Sequence, residues 1–346
     1  MRRFILLILI AGLLITPVSA MEFTAPNVPE GAEEYMPADT ESFSEGLWYV
    51  IKTAIAKLQP SITEAAGICL SLIAVTLLIS ILQFSAENAK ITIILAGTLS
   101  ISVLLILPAN SLIALGTETV RQLSDYEKLL LPVLTAALAA QGGVTTSAAL
   151  YAGTAAFNAV LSTVISRLIT PMLYIYLCLC IACSAVNQSL LAKLRDFFKW
   201  GMTWCLKTLL YVFTGYLRIT KVISGTVDAS TIKATKLAIS GAVPVVGGLI
   251  SDASETILVS AGLMKNAAGT YGLLAALSIW IGPFLQIGCQ YLLLKITAAV
   301  CSVIGTKENT TLISDFSGAM GMLLAMTGTV CLLVLVSTVC FMKGVS

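Results

Sequence analysis

Between Leu237 and Leu274 the chain reads LAISGAVPVVGGLISDASETILVSAGLMKNAAGTYGLL, and this stretch constrains the fold more than any other. It is apolar enough for a membrane, yet Pro244, Gly247 and Gly248 interrupt it and Asp252, Glu255 and Lys265 charge it. At membrane depth, broken backbone is tolerated only where protein or a watery cavity covers the freed polar groups. The segment therefore predicts a bundle of membrane helices arranged around it and around an earlier segment like it.

The rest of the chain agrees. Of 346 residues, 58% are hydrophobic and only 11% charged, too apolar for a soluble domain. The expected fold is an all-α polytopic membrane protein with roughly 7–9 spanning or re-entrant helices. Histidine is absent, which excludes Ser-His-Asp and Cys-His catalysis, an HExxH zinc site and a His-held haem. No Walker motif, nucleophile elbow or paired catalytic carboxylate occurs, so no enzyme activity and no cofactor are expected, and any energy would come from another subunit. The few Lys and Arg cluster at helix ends, so nucleic acid is not an expected partner. Cys180-Ile-Ala-Cys183 is formally a CxxC, but no further polar ligand is near; the nine cysteines read as soft packing residues and no metal is expected.

In order, Met1–Ala20 carries Arg2 and Arg3, an apolar core and Val18-Ser19-Ala20, and reads as a signal peptide, the rival being an uncleaved anchor. Residues 21–46 hold seven acids and no base, and predict an acidic, flexible extracytoplasmic arm. Leu47–Ile62, with Trp48 and Tyr49, suits an interfacial helix. Residues 63–346 form the multi-helix transmembrane domain. Its expected spans are Thr63–Gln83, Ile91–Leu115, a long Leu129–Ile169 broken at Pro132 and at Gly142-Gly143, Thr170–Leu191, Phe197–Leu217, Ala267–Ile281, Pro283–Ile304 and Ala319–Met342. Polar loops are expected at Gly116–Lys128, at Arg218–Lys236 and around Lys307, Glu308 and Asp315.

Sliding the chain by 112 residues lays Pro132 on Pro244 and Pro171 on Pro283, with further Ala, Leu, Ser and Ile identities. This suggests duplicated halves at about 63–174 and 175–286, the pattern by which many transporters mark a central site. Self-alignment of Ala- and Leu-rich sequence is the competing explanation. Orientation also has two solutions. If Met21 lies outside, Lys193, Arg195 and Lys199 are cytoplasmic only when Leu129–Ile169 crosses twice, which puts the basic Arg218–Lys236 linker outside unless it lies on the surface or a broken segment is re-entrant.

The candidate chemistry is sparse. Asp252 with Glu255 three residues on is a capping box, so a plain helix start explains it. The functional reading makes Asp252, Glu255 and Lys265 part of a polar path, since charges within a membrane usually face one. Lys207 enters the same path or snorkels to the interface. Gly142-Gly143-Val-Thr-Thr-Ser147, the counterpart break, has hydroxyls and no charge.

The run Lys236-Leu-Ala-Ile-Ser-Gly-Ala-Val-Pro-Val-Val-Gly-Gly248, continued by Ser251-Asp-Ala-Ser-Glu255 and Leu263-Met-Lys-Asn-Ala267, resembles the stage III sporulation protein AE family of endospore-forming Firmicutes. The layout of leader, acidic arm and many spans is similar too. The resemblance implies a subunit of the channel or secretion-like complex between mother cell and forespore, in the outer forespore membrane. It implies as partners the membrane proteins AB, AC, AD, AF, AG and AH of the same operon, the cytosolic ATPase AA and the forespore protein SpoIIQ, besides membrane lipid. It carries over no catalytic residues. A self-contained secondary transporter and a non-conducting scaffold that seats ring-forming subunits are the alternatives.

Overall fold

The computed structural model describes residues 26–37, 42–85, 89–141, 143–186, 188–242 and 247–343; for residues 90, 218–242 and 247–265 the backbone alone is described. The proposed signal peptide, Pro244 and Gly142 lie outside the described residues, as do the side chains of Asp252, Glu255 and Lys265. The described chain is helical. Its helices are α1 (Phe43–Ala56), α2 (Gln59–Ser85), α3 (Lys90–Ala140), α4 (Val144–Val164), α5 (Thr170–Val186), α6 (Ser189–Ala242), α7 (Gly247–Ile304) and α8 (Lys307–Met342). A π-helical turn, Ile165–Ile169, joins α4 to α5 without a break. Pro171 follows at once, and its missing N–H removes a bond that the regular helix would need, which is where such widened turns occur.

Five helices among the described residues are long and apolar enough to cross a membrane: Gln59–Ser85, Ile91–Ala140, Val144–Val186, Asn266–Ile304 and Lys307–Met342. These five leave residues 218–265 out of account, and within the five several segments read as separate spans run together. Gly116–Lys128, expected as a loop, is the middle of α3. Its charges satisfy one another along the helix: Arg121 bonds Glu118 at 2.6 Å and Asp125 at 3.1 Å, and Lys128 bonds Asp125 at 2.8 Å. Pro132 is no helix break either; it sits inside α3, as Pro108 does, and Pro283 sits inside α7. The Arg218–Lys236 linker is continuous helix within α6, and the loop expected around Glu308 and Asp315 is the start of α8.

Near Gly143 the chain leaves helix at Gln141 and re-enters it at Val144, while the expected break at Pro244 falls on residues 243–246, outside the described residues. Helix α7 is already running when it reaches Asp252, which corrects the capping-box reading of that residue.

The N-terminal region differs from expectation where it is described. Residues 26–37 are not a free arm: Val28 and Ala32 are buried in the main core, and Tyr35 approaches Gly282 of α7. Glu34 forms an ion pair with Lys57 just past the end of α1. Helix α1 starts four residues earlier than the expected interfacial helix, capped by Ser42, whose hydroxyl accepts from the Glu45 N–H at 3.3 Å. Trp48 and Tyr49 are exposed on it, as an interfacial anchor would require.

Helix α8 is the spine of the bundle. In its most apolar stretch 61% of residues are buried, against 28–33% for the other four candidate spans. Helices α3, α5, α6 and α7 all pack on it. Lipid offers apolar side chains no less favourable a setting than another helix does, so close approach and interhelical hydrogen bonds have to hold such a bundle together. Both are present. Leu130 of α3 fills the space that a side chain at Gly272 of α7 would take, with the nearest atom 2.6 Å from where a Cβ would stand.

Candidate functional site

Polar groups recur along the whole length of α8, and neighbouring helices α3, α5 and α7 meet them in turn. Asn309, near its start, is fully buried and faces the Thr98 hydroxyl of α3 at 3.3 Å. The Ser184 hydroxyl of α5 donates to the Glu308 carbonyl at 3.2 Å, and the Tyr176 hydroxyl donates to the Asp315 carbonyl at 3.3 Å. Ser317 donates to the Tyr291 carbonyl of α7 at 3.2 Å. Near the far end the Ser337 hydroxyl donates to the Glu127 carboxylate of α3 at 2.8 Å. These bonds fix the rotation and height of α8 against its neighbours, which apolar contact alone leaves free.

The strongest of them is ionic. Arg195 of α6 reaches Asp315 of α8, Nη1 to Oδ2, at 2.6 Å, and both side chains are only 15% exposed. Asp196 holds the other side of the guanidinium at 2.9 Å but is itself 64% exposed. Helical spacing explains the placement: Leu312, Ile313, Phe316 and Ala319 are buried around Asp315, so its face turns inward. Gly318 leaves room beside it, since a Cβ there would stand 3.3 Å from the Tyr176 hydroxyl and 3.5 Å from Lys199 Nζ. A cavity of about 400 Å³ opens next to the pair, lined by Cys183, Ser184, Gln188, Arg195, Glu308 and Thr311 among others. Cys180 and Cys183 stand one turn apart on α5 as free thiols.

A second buried carboxyl lies between α3 and α8. Glu127 is 6% exposed, and among the described residues Ser337 is its one hydrogen-bond partner and no ion pair includes it. Nearby, Asn158 of α4 donates to the Ser124 carbonyl at 3.0 Å, while the hydroxyls of Ser124 and Thr154 are buried without partners. A buried carboxylate without a cation is costly, whereas an amide of the same shape still accepts from Ser337. Glu127→Gln is therefore expected to leave the thermal unfolding midpoint of the detergent-solubilised protein unchanged or raised. A fall of about 2 kcal/mol or more would mean that the carboxylate has a role the amide cannot fill.

Of the residues singled out in the sequence, the side chains of Asp252, Glu255 and Lys265 lie outside the described residues. Lys207 is exposed on α6, in the row of Trp200, Trp204 and Tyr211, all of them exposed as well. Gly247 and Gly248 open α7, whose backbone carries Asp252, Glu255 and Lys265. Sequence alone gives no reason to join Glu127, Arg195 and Asp315, since Glu127 and Asp315 read as loop charges and Arg195 as an orientation signal. The usable clue was the i, i+3, i+4 spacing of apolar residues around Asp315.

A family model described as stage III sporulation protein AE matches residues 34–344. The stage III sporulation protein AE of Bacillus subtilis (strain 168) is 23% identical over 270 residues, covering 77% of this chain and 67% of that protein. No solved structure matches the chain.

Proposed function

This chain belongs to the stage III sporulation protein AE family, and from that premise we propose that it is an integral membrane subunit of the mother cell-to-forespore channel or secretion-like complex, needed for forespore development and late sigma factor activation. It resides in the outer forespore membrane and works with the membrane proteins AB, AC, AD, AF, AG and AH, the ATPase AA and SpoIIQ. It performs no catalysis of its own.

The observation that carries the finer reading is the position of α8. The centre of the described bundle is occupied by a helix hydrogen-bonded to α3, α5 and α7 and ion-paired to α6, not by a lumen. That supports a subunit that lines a path jointly with other chains over a secondary transporter that encloses its own. The segment offered to such a path is the one around Pro244, Gly247, Gly248, Asp252, Glu255 and Lys265, whose charges suit water better than lipid.

Cysteine accessibility tests this. On a cysteine-free background, single cysteines from Ser240 to Leu263 are challenged in sporulating cells with a membrane-impermeant thiol reagent. A water-lined path gives labelling on one helical face, with Asp252 and Glu255 on it, and Asp252→Ala with Glu255→Ala abolishes sporulation while the complex still assembles. Uniform protection in a folded protein, with the double variant sporulating normally, points to a scaffold.

A further inference from the structure

A smaller cavity, of about 190 Å³, lies away from α8, where α2, α3 and α7 meet. Ser61 and Glu64 from the first turns of α2, Ser111 of α3, and Gln286 and Gln290 of α7 bring five polar side chains into it. Gln290 is only 5% exposed. Among the described residues none of the five has a hydrogen-bond or ion-pair partner in the protein. Elsewhere, Thr76 bonds the Leu72 carbonyl at 2.7 Å and Ser102 the Thr98 carbonyl at 2.6 Å, while Ser124 and Thr154 are isolated hydroxyls and do not share a cavity as these five groups do. The residue Gln290 is buried but its amide atoms keep contact with the cavity, so whatever fills the cavity is what meets them.

The groups available are amide and hydroxyl oxygens with one carboxylate, and no Lys or Arg lines the space. Hard cations prefer oxygen ligands, and a single carboxylate balances a single positive charge, whereas calcium sites gather several. The volume, equal to roughly six waters at the liquid's share of about 30 Å³ each, admits an alkali ion with part of its hydration shell. Access exists: Glu64 also lines a larger open basin on the surface, shared with Glu34, Tyr35, Lys57 and Thr63.

We propose that this cavity binds an alkali-metal cation, with Gln286, Gln290, Ser61 and Ser111 supplying neutral oxygens and Glu64 the countercharge at the entrance. The site is independent of the translocation role and is tested without it. The purified full-length chain is unfolded thermally in sodium, potassium, lithium or choline chloride at equal ionic strength, and sodium-22 or rubidium-86 binding is measured by equilibrium dialysis. At least one alkali ion is expected to raise the midpoint above choline and to bind saturably. Gln290→Leu and Glu64→Gln are expected to weaken that binding about tenfold or more, equivalent to about 1.4 kcal/mol. Gln290→Glu, which keeps the shape and adds charge, is expected to tighten it and serves if the leucine variant fails to fold. Identical midpoints in all four salts with no saturable binding would mean a cavity that holds water only, and the proposal falls. It falls equally if ions bind but neither Gln290 nor Glu64 substitution changes their affinity.

Discussion

Arg195→Met is expected to destabilise the protein by about 2–4 kcal/mol, because it strands Asp315 in a setting only 15% exposed. The figure sits below that of a fully buried pair because some solvent reaches both groups. The reverse substitution is expected to cost less. In Asp315→Asn the guanidinium keeps Asp196 at 2.9 Å and its share of solvent. Arg195→Met combined with Asp315→Leu is expected to regain most of the loss, since no charge is then left unpaired. Thermal unfolding of the wild type and the three variants in one detergent ranks these costs. Equal costs for the two single variants, with no recovery in the double, would mean that the pair is an incidental surface contact.

Phe316→Ala is the second large effect. Phe316 is fully buried on α8, next in sequence to Asp315, and truncating a phenylalanine in a packed core costs about 3–5 kcal/mol. Leu332→Ala, on the same helix but 51% exposed, is expected to change stability by less than about 0.5 kcal/mol. The contrast tests the position of α8 and not merely its hydrophobicity. If both substitutions cost the same, α8 is not enclosed. The same thermal assay reads both, with helical content by circular dichroism confirming that each variant starts folded.

How far the sequence announced this arrangement depends on which signal is read. Long apolar runs with few charges specify membrane helices, and the Gly142-Gly143 pair marks the break that follows Gln141. What misled was treating charge as a loop signal. Glu118, Arg121, Asp125 and Lys128 are spaced three or four apart with alternating sign, the pattern by which a helix pairs its own charges. Proline misled in the same way. Pro108, Pro132 and Pro283 lie inside helices, which membrane helices tolerate when neighbours and hydroxyls satisfy the released carbonyls. The pairing of Arg195 with Asp315 joins residues 120 apart, and no local spacing encodes a contact between distant helices. The centrality of α8 was hidden for the same reason: its composition resembles that of the other spans, and only packing decides which one is surrounded.

The unbroken course of α3 has a mechanical consequence. Its 51 residues measure about 77 Å at 1.5 Å per residue, more than twice a bilayer's hydrocarbon thickness of about 30 Å. A rod of that length magnifies small rotations: a tilt of about 5° pivoted at the Lys90 end carries the Ala140 end sideways by about 7 Å. Pro108 and Pro132 are the two places where such a rod bends most readily, since each lacks one rung of the hydrogen-bond ladder. Displacement imposed at one end of α3 therefore arrives at the other as leverage, with the stretch from Ala109 to Leu131 moving as a single stiff arm between two elbows.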